Sequence, residues 1–205
     1  MTPKWLTWAK QLQAIAQQGL AYSKDPYDVE RFEMVRDLSV EIMANFTDLE
    51  EEKIRDLFCN EEGYQTPKVD VRGVIIKDHK ILLVKETIDG KWSLPGGWAE
   101  FNLSVKENVV KEVKEEAGLE VIPDRIIAVQ DRKFHNKPVS AYGIYKIFVL
   151  CQEVGGDFES NIETEASGYF GLEALPPLSE GRNTKEQIKL CLEAAKDDGF
   201  MTVFD

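Results

Sequence analysis

The sequence predicts an α+β protein, with an all-helical region over residues 1–65 followed by a strand-rich domain over residues 66–205. Three observations carry this reading. Apolar residues recur at helical spacing as far as Phe58, β-branched strand runs take over from Val69, and only two amphipathic helices break those runs. Many strands around one or two helices describe a sandwich rather than a regular βαβ repeat.

In the helical region, Trp5, Trp8, Leu12, Ile15 and Ala16 mark a first helix that Gly19 is expected to interrupt. Asp25-Pro26 starts a second, with Val29, Phe32, Val35, Ile42, Met43 and Phe46 at its apolar positions. Thr47 or Asp48 caps a third, whose buried side is Leu49, Ile54, Leu57 and Phe58. Three short amphipathic helices are marginal alone, because each apolar stripe must find a partner. The region is therefore a packing cap, a dimerisation module or a separate ligand site, and a homodimer is the expected assembly. Residues 63–67 read as a linker.

The run VDVRGVIIKDHKILLVKE reads as two strands joined at Asp78-His79, and LPGG from Leu94 is a turn. Ser104 and Glu107 stand in capping-box spacing before a helix that runs to Ala117, where Gly118 supplies the stop. Further strands are expected over 126–131, 139–151 and 167–170. A last helix follows Asn183 or Thr184, and its Ile188, Cys191, Leu192 and Ala195 share one face.

Composition narrows the function. Of 205 residues, 43% are hydrophobic, ample for a core, while 37 acidic against 25 basic side chains give a net charge of −12. That field opposes extended polyanions, though a terminal nucleotide remains acceptable. Cys59, Cys151 and Cys191 form no CxxC pair or zinc spacing and are expected as reduced thiols. No signal-peptide pattern and no run of 18 apolar residues is present, so a soluble, cytoplasmic protein with no membrane partner is expected.

The chemistry concentrates in residues 96–119, GGWAEFNLSVKENVVKEVKEEAGL. On the helix, Glu112 and Glu116 are four apart and share a face, with Glu115 beside them. Val109, Val113 and Ala117 form a separate apolar row suited to a core. Crowded carboxylates repel, and a solvated acidic face salted by Lys106, Lys111 and Lys114 is one way to relieve this. A divalent cation is the other, and hard oxygen ligands suit Mg²⁺ or Mn²⁺. Pro95-Gly96-Gly97 brings backbone close to the cluster, where a free carbonyl could join the metal shell.

This segment resembles the signature box of the Nudix hydrolases, G-x5-E-x7-R-E-U-x-E-E-x-G-U with U aliphatic. Gly97 matches the first glycine, and Glu112, Val113, Glu115, Glu116, Gly118 and Leu119 match the later positions. Leu103 stands in place of the first Glu and Lys111 in place of Arg, the pair that normally braces loop and helix. The resemblance implies a Nudix-type α/β/α sandwich with a mixed sheet, preceded by the small helical region. It also implies metal binding chiefly by Glu112 and Glu116, assisted by Glu115 and the Gly96 carbonyl, with Mg²⁺ as cofactor and Mn²⁺ as a substitute. The reaction implied is hydrolysis of the pyrophosphate bond in a nucleoside diphosphate derivative, with Glu163 or Glu165 available as general base.

Beyond the box, the helical region, PGGWAEFNLSVKENVVKEV and ALPPLSEGRNTKEQI resemble a bacterial subgroup named for ADP-ribose pyrophosphatases that includes a CDP-choline pyrophosphatase. CDP-choline, cleaved to CMP and phosphocholine, is the substrate expected first. ADP-ribose, RNA ends and a catalytically silent nucleotide sensor are the alternatives. Candidate substrate contacts are Arg72, for phosphate or an ion pair; Trp92, for a base or a choline cation; Asp131 and Arg132 at a strand end; and Tyr142 on the next strand.

Overall fold

The computed structural model describes residues 2–205. The first unit holds α1 (Lys4–Tyr22), α2 (Pro26–Asn45) and α3 (Glu51–Phe58), of which only α2 carries a side-chain cap; α3 follows Glu50 rather than a cap at Thr47 or Asp48. The Asp25 carboxylate accepts the Tyr27 and Asp28 N–H groups, and Pro26 opens α2 where no N–H is missed. The three helices close around Leu6, Ala9, Val40, Met43, Ile54 and Phe58. Gly19 does not interrupt α1. A Cβ there would stand 2.3 Å from the Phe32 ring, so the glycine is the point where α1 and α2 meet.

Residues Val139–Tyr142 fold with this unit. Val139 and Ala141 pack on its core, Lys10 Nζ donates to the Ser140 carbonyl at 3.2 Å, and the Tyr142 hydroxyl donates to the Leu57 carbonyl. The strand expected from residue 139 therefore begins only at Ile144, because an apolar core draws off the residues before it.

The second unit runs from Lys68 to Pro138 and from Gly143 to Asp205. Its strands are β1 (Lys68–Lys77), β2 (Lys80–Glu86), β3 (Trp92–Ser93), β4 (Leu119–Asp131), β5 (Ile144–Gly156), β6 (Thr164–Phe170) and β7 (Val203–Phe204). Helices α4 (Val105–Ala117), α5 (Arg132–His135) and α6 (Lys185–Ala194) complete it. The strand order is β3-β2-β1-β5-β4-β7, with β6 paired to β2. Pairing is parallel for β1–β5 and β4–β7 and antiparallel elsewhere, which makes the sheet mixed.

Both faces of the sheet are buried, so successive residues serve opposite cores. Val74, Ile81 and Leu83 meet Ile188, Cys191 and Leu192 of α6. Ile75, Leu82 and Val84 meet Val109, Val113 and Ala117 of α4. The result is an α/β/α sandwich with a mixed sheet. Both helices start in complete capping boxes, Ser104 with Glu107 and Thr184 with Gln187.

One strand is longer than its sequence pattern. β4 begins at Leu119, directly after the left-handed Gly118, rather than near Ile126. Three register shifts against β5 blur its alternation. Pro123 is tolerated because β7 covers β4 only at Ala128 and Val129. The thiols Cys151 and Cys191 are buried and Cys59 half-buried, with no disulfide among the described residues. Among those residues no helix is long and apolar enough to cross a membrane.

Candidate active site

The glycine loop is laid onto β1 by main-chain bonds. Gly73 N–H donates to the Pro95 carbonyl at 2.8 Å, Val71 N–H to the Gly97 carbonyl at 2.9 Å, and Ala99 N–H to the Val69 carbonyl at 2.9 Å. Gly96 has φ +142°, and a Cβ there would stand 2.0 Å from the Val71 carbonyl oxygen. No other residue allows this approach. The loop thereby faces α4, where a Cβ added to Gly97 would lie 2.8 Å from Glu112 Oε2.

α4 places its three carboxylates differently. Glu112 and Glu116 line a cleft of about 720 Å³ together with Gly96 and Gly97. Glu116 is buried, and its Oε2 accepts the Gly96 N–H at 2.8 Å. Burial pushes the Glu116 carboxyl up to about 7, against the pull of Arg72 and the Gly96 N–H. Burial also raises Glu112. Glu115 points to the solvent side, outside the cleft, and pairs with Lys111. Successive helical residues are turned by about 100°, so Glu115 cannot share the line of Glu112 and Glu116.

Lys111 also meets Glu100 in the loop at 3.3 Å. Asn108, buried on α4, accepts the Glu100 N–H at 2.7 Å and donates to the Leu103 carbonyl at 3.0 Å. These contacts brace the loop against the helix where Leu103 and Lys111 depart from the usual ion pair.

Beneath the cleft lies a closed ionic cluster. Arg72 grips Asp70 with both prongs, at 2.7 and 2.8 Å, and donates its third bond to the Leu94 carbonyl at 3.0 Å. Lys146, on the neighbouring parallel strand, reaches the same Asp70 at 3.1 Å. Asp70 is held below the usual carboxylate range: burial alone would raise it, but Arg72 and Lys146 outweigh that. Burial and Arg72 bring the Lys146 ammonium down to about 7. A second buried carboxylate, Glu86, accepts the Ser93 hydroxyl and pairs with Arg182 at 2.9 Å.

The cleft brings together Arg72, Gly96, Glu112, Glu116, Arg132 and Glu163 from the residues marked in the sequence. Arg72 takes the ion-pair alternative. Arg132 donates to the Gly181 and Pro138 carbonyls, at 3.3 and 2.7 Å. The other marked residues lie elsewhere. Glu165 pairs with Lys85 at 2.8 Å, and Trp92 packs edge-on against Phe170 at 4.8 Å. Asp131 caps α5 by accepting the Lys133 N–H, and Tyr142 belongs to the helical unit. Asp70, Glu86, Trp98, Lys146 and Arg182 were not singled out. Only Asp70 left a signal, two residues before Arg72 and on the same face of an apolar strand.

Two hard carboxylates beside a backbone turn fit a cation that completes its shell with water and phosphate oxygens. Burial raises both the Glu112 and the Glu116 carboxyl, and a cation placed between them would offset that cost. Among the described residues no three carboxylate, His or Cys groups converge, so the protein alone supplies no closed cage.

Paired carboxylates, a glycine loop and guanidinium groups around one cleft suit the hydrolysis of a phosphoanhydride assisted by a divalent metal. The chain belongs to the Nudix family: the NUDIX domain profile matches residues 66–191. A second profile, described as a UDP-X-like N-terminal oligomerisation domain, matches residues 3–58. The protein is thus a Nudix pyrophosphohydrolase acting on a nucleotide derivative, in a family that is generally Mg²⁺-dependent.

Among its relatives, YjhB of Bacillus subtilis (strain 168), named for a candidate ADP-ribose pyrophosphatase activity, is 46% identical over 98% of this chain and 97% of its own. A crystal structure of an ADP-ribose pyrophosphatase from Streptococcus suis 89-1591 is 52% identical, covering 68% of this chain and all of that one, with TM-score 0.64. A crystal structure of UDP-X diphosphatase is 33% identical over 98% of both chains, also with TM-score 0.64.

Proposed function

We propose that the cleft hydrolyses the pyrophosphate bond of a nucleoside diphosphate sugar, with ADP-ribose as the reference substrate and AMP and ribose 5-phosphate as products. The observation that carries the reading is one cleft holding the half-buried Glu112, the buried Glu116 and the guanidinium of Arg132, bonded to carbonyl oxygens. A diphosphate offers negative charge to Arg132 and, through a cation, to the two glutamates. The names of the Bacillus and Streptococcus relatives support ADP-ribose over the CDP-choline expected from the sequence. Among the described residues Trp98 is the one aromatic lining the cleft, whereas a choline cage would call for several.

In this reading Glu112, Glu116 and the Gly96 carbonyl hold Mg²⁺, with Mn²⁺ as a substitute. When bound, the ion neutralises phosphoryl oxygens and acidifies water. The Gly96 N–H fixes the Glu116 carboxylate, and Arg132 orients the far phosphate. Glu163, in the cleft near Glu112, takes the proton of the attacking water, while the bridging oxygen leaves with the other phosphate. Glu115 balances Lys111 and stays out of the reaction.

The test is a product screen under Mg²⁺ with ADP-ribose, a UDP-sugar, CDP-choline and 5′-capped RNA. ADP-ribose should lead in kcat/KM, and CDP-choline ahead by tenfold would restore the earlier expectation. The helical unit is proposed to form a homodimer, since Trp8, Ile15 and Tyr22 stand exposed at seven-residue spacing on α1. Light scattering giving a monomer at micromolar concentration would remove that proposal.

A further inference from the structure

We infer that Ile88, Ile162 and Trp98 form the nucleobase-binding lip of the cleft, an assignment that rests on the nucleoside diphosphate reading above. All three line the cleft, yet they are 79%, 92% and 54% exposed. Large apolar side chains left in water at the rim of a charged cavity mark a ligand surface.

The exposure is built, not loose. Ile162 sits in a loop fastened by Asn161, whose carboxamide oxygen accepts the Glu163 and Thr164 N–H groups, both at 2.9 Å. Its nitrogen donates to the Glu115 carbonyl at 2.9 Å, and the Thr164 hydroxyl donates to the Glu116 carbonyl at 2.7 Å. The loop is thus tied to the end of α4, and it presents Glu163 to the cleft beside Ile162. Ile88 sits in the tight β2–β3 turn, closed by Glu86 N–H to the Lys91 carbonyl at 2.8 Å. Asp89 in that turn accepts the Lys91 N–H at 3.0 Å and the Ser179 hydroxyl at 2.8 Å. Thr87 joins the two loops, donating its N–H to the Glu163 carbonyl at 2.8 Å and its hydroxyl to the Ile162 carbonyl at 3.0 Å. Trp98 follows the glycine turn and bridges Asp70 on β1 through its backbone. These bonds fix the backbone that carries each side chain, so binding need not order the loops as well.

The occupant follows from the chemistry of its neighbours. The floor is charged and takes the diphosphate. A sugar presents hydroxyl groups and gains little against isoleucine. The nucleobase is the one part of the substrate with a broad apolar face to remove from water. Stacking on side chains accepts any base, so the lip supplies affinity while leaving base identity open. ADP-ribose and a UDP-sugar should therefore differ in KM by less than about tenfold.

The experiment is calorimetric binding of AMP and of ribose 5-phosphate to the full chain in Mg²⁺, for wild type, Ile88→Ala, Ile162→Ala, Trp98→Ala and Trp98→Phe. AMP should weaken about tenfold in Trp98→Ala and about three- to fivefold in each isoleucine variant, while Trp98→Phe stays within about threefold. Ribose 5-phosphate, which lacks the base, should bind all variants alike. The same losses should appear in KM for ADP-ribose more than in kcat. AMP affinity unchanged in every variant, equal losses for both ligands, or no AMP binding by wild type would each overturn the lip. Failure of wild type to hydrolyse any nucleoside diphosphate derivative would instead overturn the function, which the activity assay reads separately.

Discussion

Two groups of charge serve one cleft, and they are wired in opposite ways. Asp70, Arg72 and Lys146 satisfy one another: every prong of Arg72 is bonded, and a single carboxylate anchors two cations across the β1–β5 pair. Glu112 and Glu116 crowd together on α4 with one N–H bond from Gly96, and burial raises both. The closed group behaves as scaffold. In the proposed reading the open group takes a cation that the chain does not itself supply. Perturbation should therefore separate them, with the open group failing in chemistry and the closed group failing in stability.

The largest effect is expected at the open group. Glu112→Gln and Glu116→Gln should each lose about 100-fold or more in kcat/KM, because in the proposed reading each removes a metal-ligand charge that stabilises the transition state. Both variants should remain folded by circular dichroism. Glu115→Gln, outside the cleft and paired with Lys111, should stay within about threefold, since an exposed helical pair contributes little. Equal losses at all three positions would erase the distinction between the two faces of α4.

The closed group should answer in the opposite sense. Asp70→Asn leaves two buried cations sharing no carboxylate, at a cost of about 3 kcal/mol. For a unit of this size that lowers Tm by roughly 10 °C. Loss of the Lys146 proton is one escape, and it moderates the cost above neutral pH. An unchanged Tm in the calorimeter would show that the cluster is not structural.

The sequence disclosed the open group more readily than the closed one, and the reason is range. Glu112 and Glu116 are related by one turn of one helix, and the Ser104–Glu107 box and Gly118 state where that helix begins and ends. Asp70 and Lys146 meet only because β1 and β5 pair in parallel with those two residues opposite each other. No local spacing encodes that register. Local cues also misled in identifiable ways. Gly19 has the composition of a helix break but serves a helix contact, and Trp92 before the glycine turn packs on Phe170. Residues 139–142 have strand-like composition and are claimed by the helical core.

The smallest effect, a dependence of stability on pH, tests both groups in one titration. The Glu116 carboxyl lies at about 7 in the fold against an ordinary 4.5, so between those values the folded chain holds more protons than the unfolded one. Its contribution is fully present below 4.5 and is lost as pH rises to about 7. The Lys146 ammonium lies at about 7 against 10.5, so above 7 the unfolded chain holds more protons. Its contribution therefore rises from pH 7 toward 10.5. Together the two groups give the metal-free protein a shallow stability minimum near neutrality. Glu116→Gln should reduce the acid arm without touching the alkaline one, leaving the part that the raised Glu112 carries, and Lys146→Met should flatten the alkaline arm alone. In the proposed reading Mg²⁺ needs Glu116 ionised, so its addition should raise Tm more at pH 8 than at pH 6 in wild type, and by a smaller and less pH-dependent amount in Glu116→Gln. Thermal melts across pH 5 to 9, with and without Mg²⁺, read all of these slopes. An acid arm undiminished in Glu116→Gln would remove this residue from the open group and leave Glu112 as its only tested member.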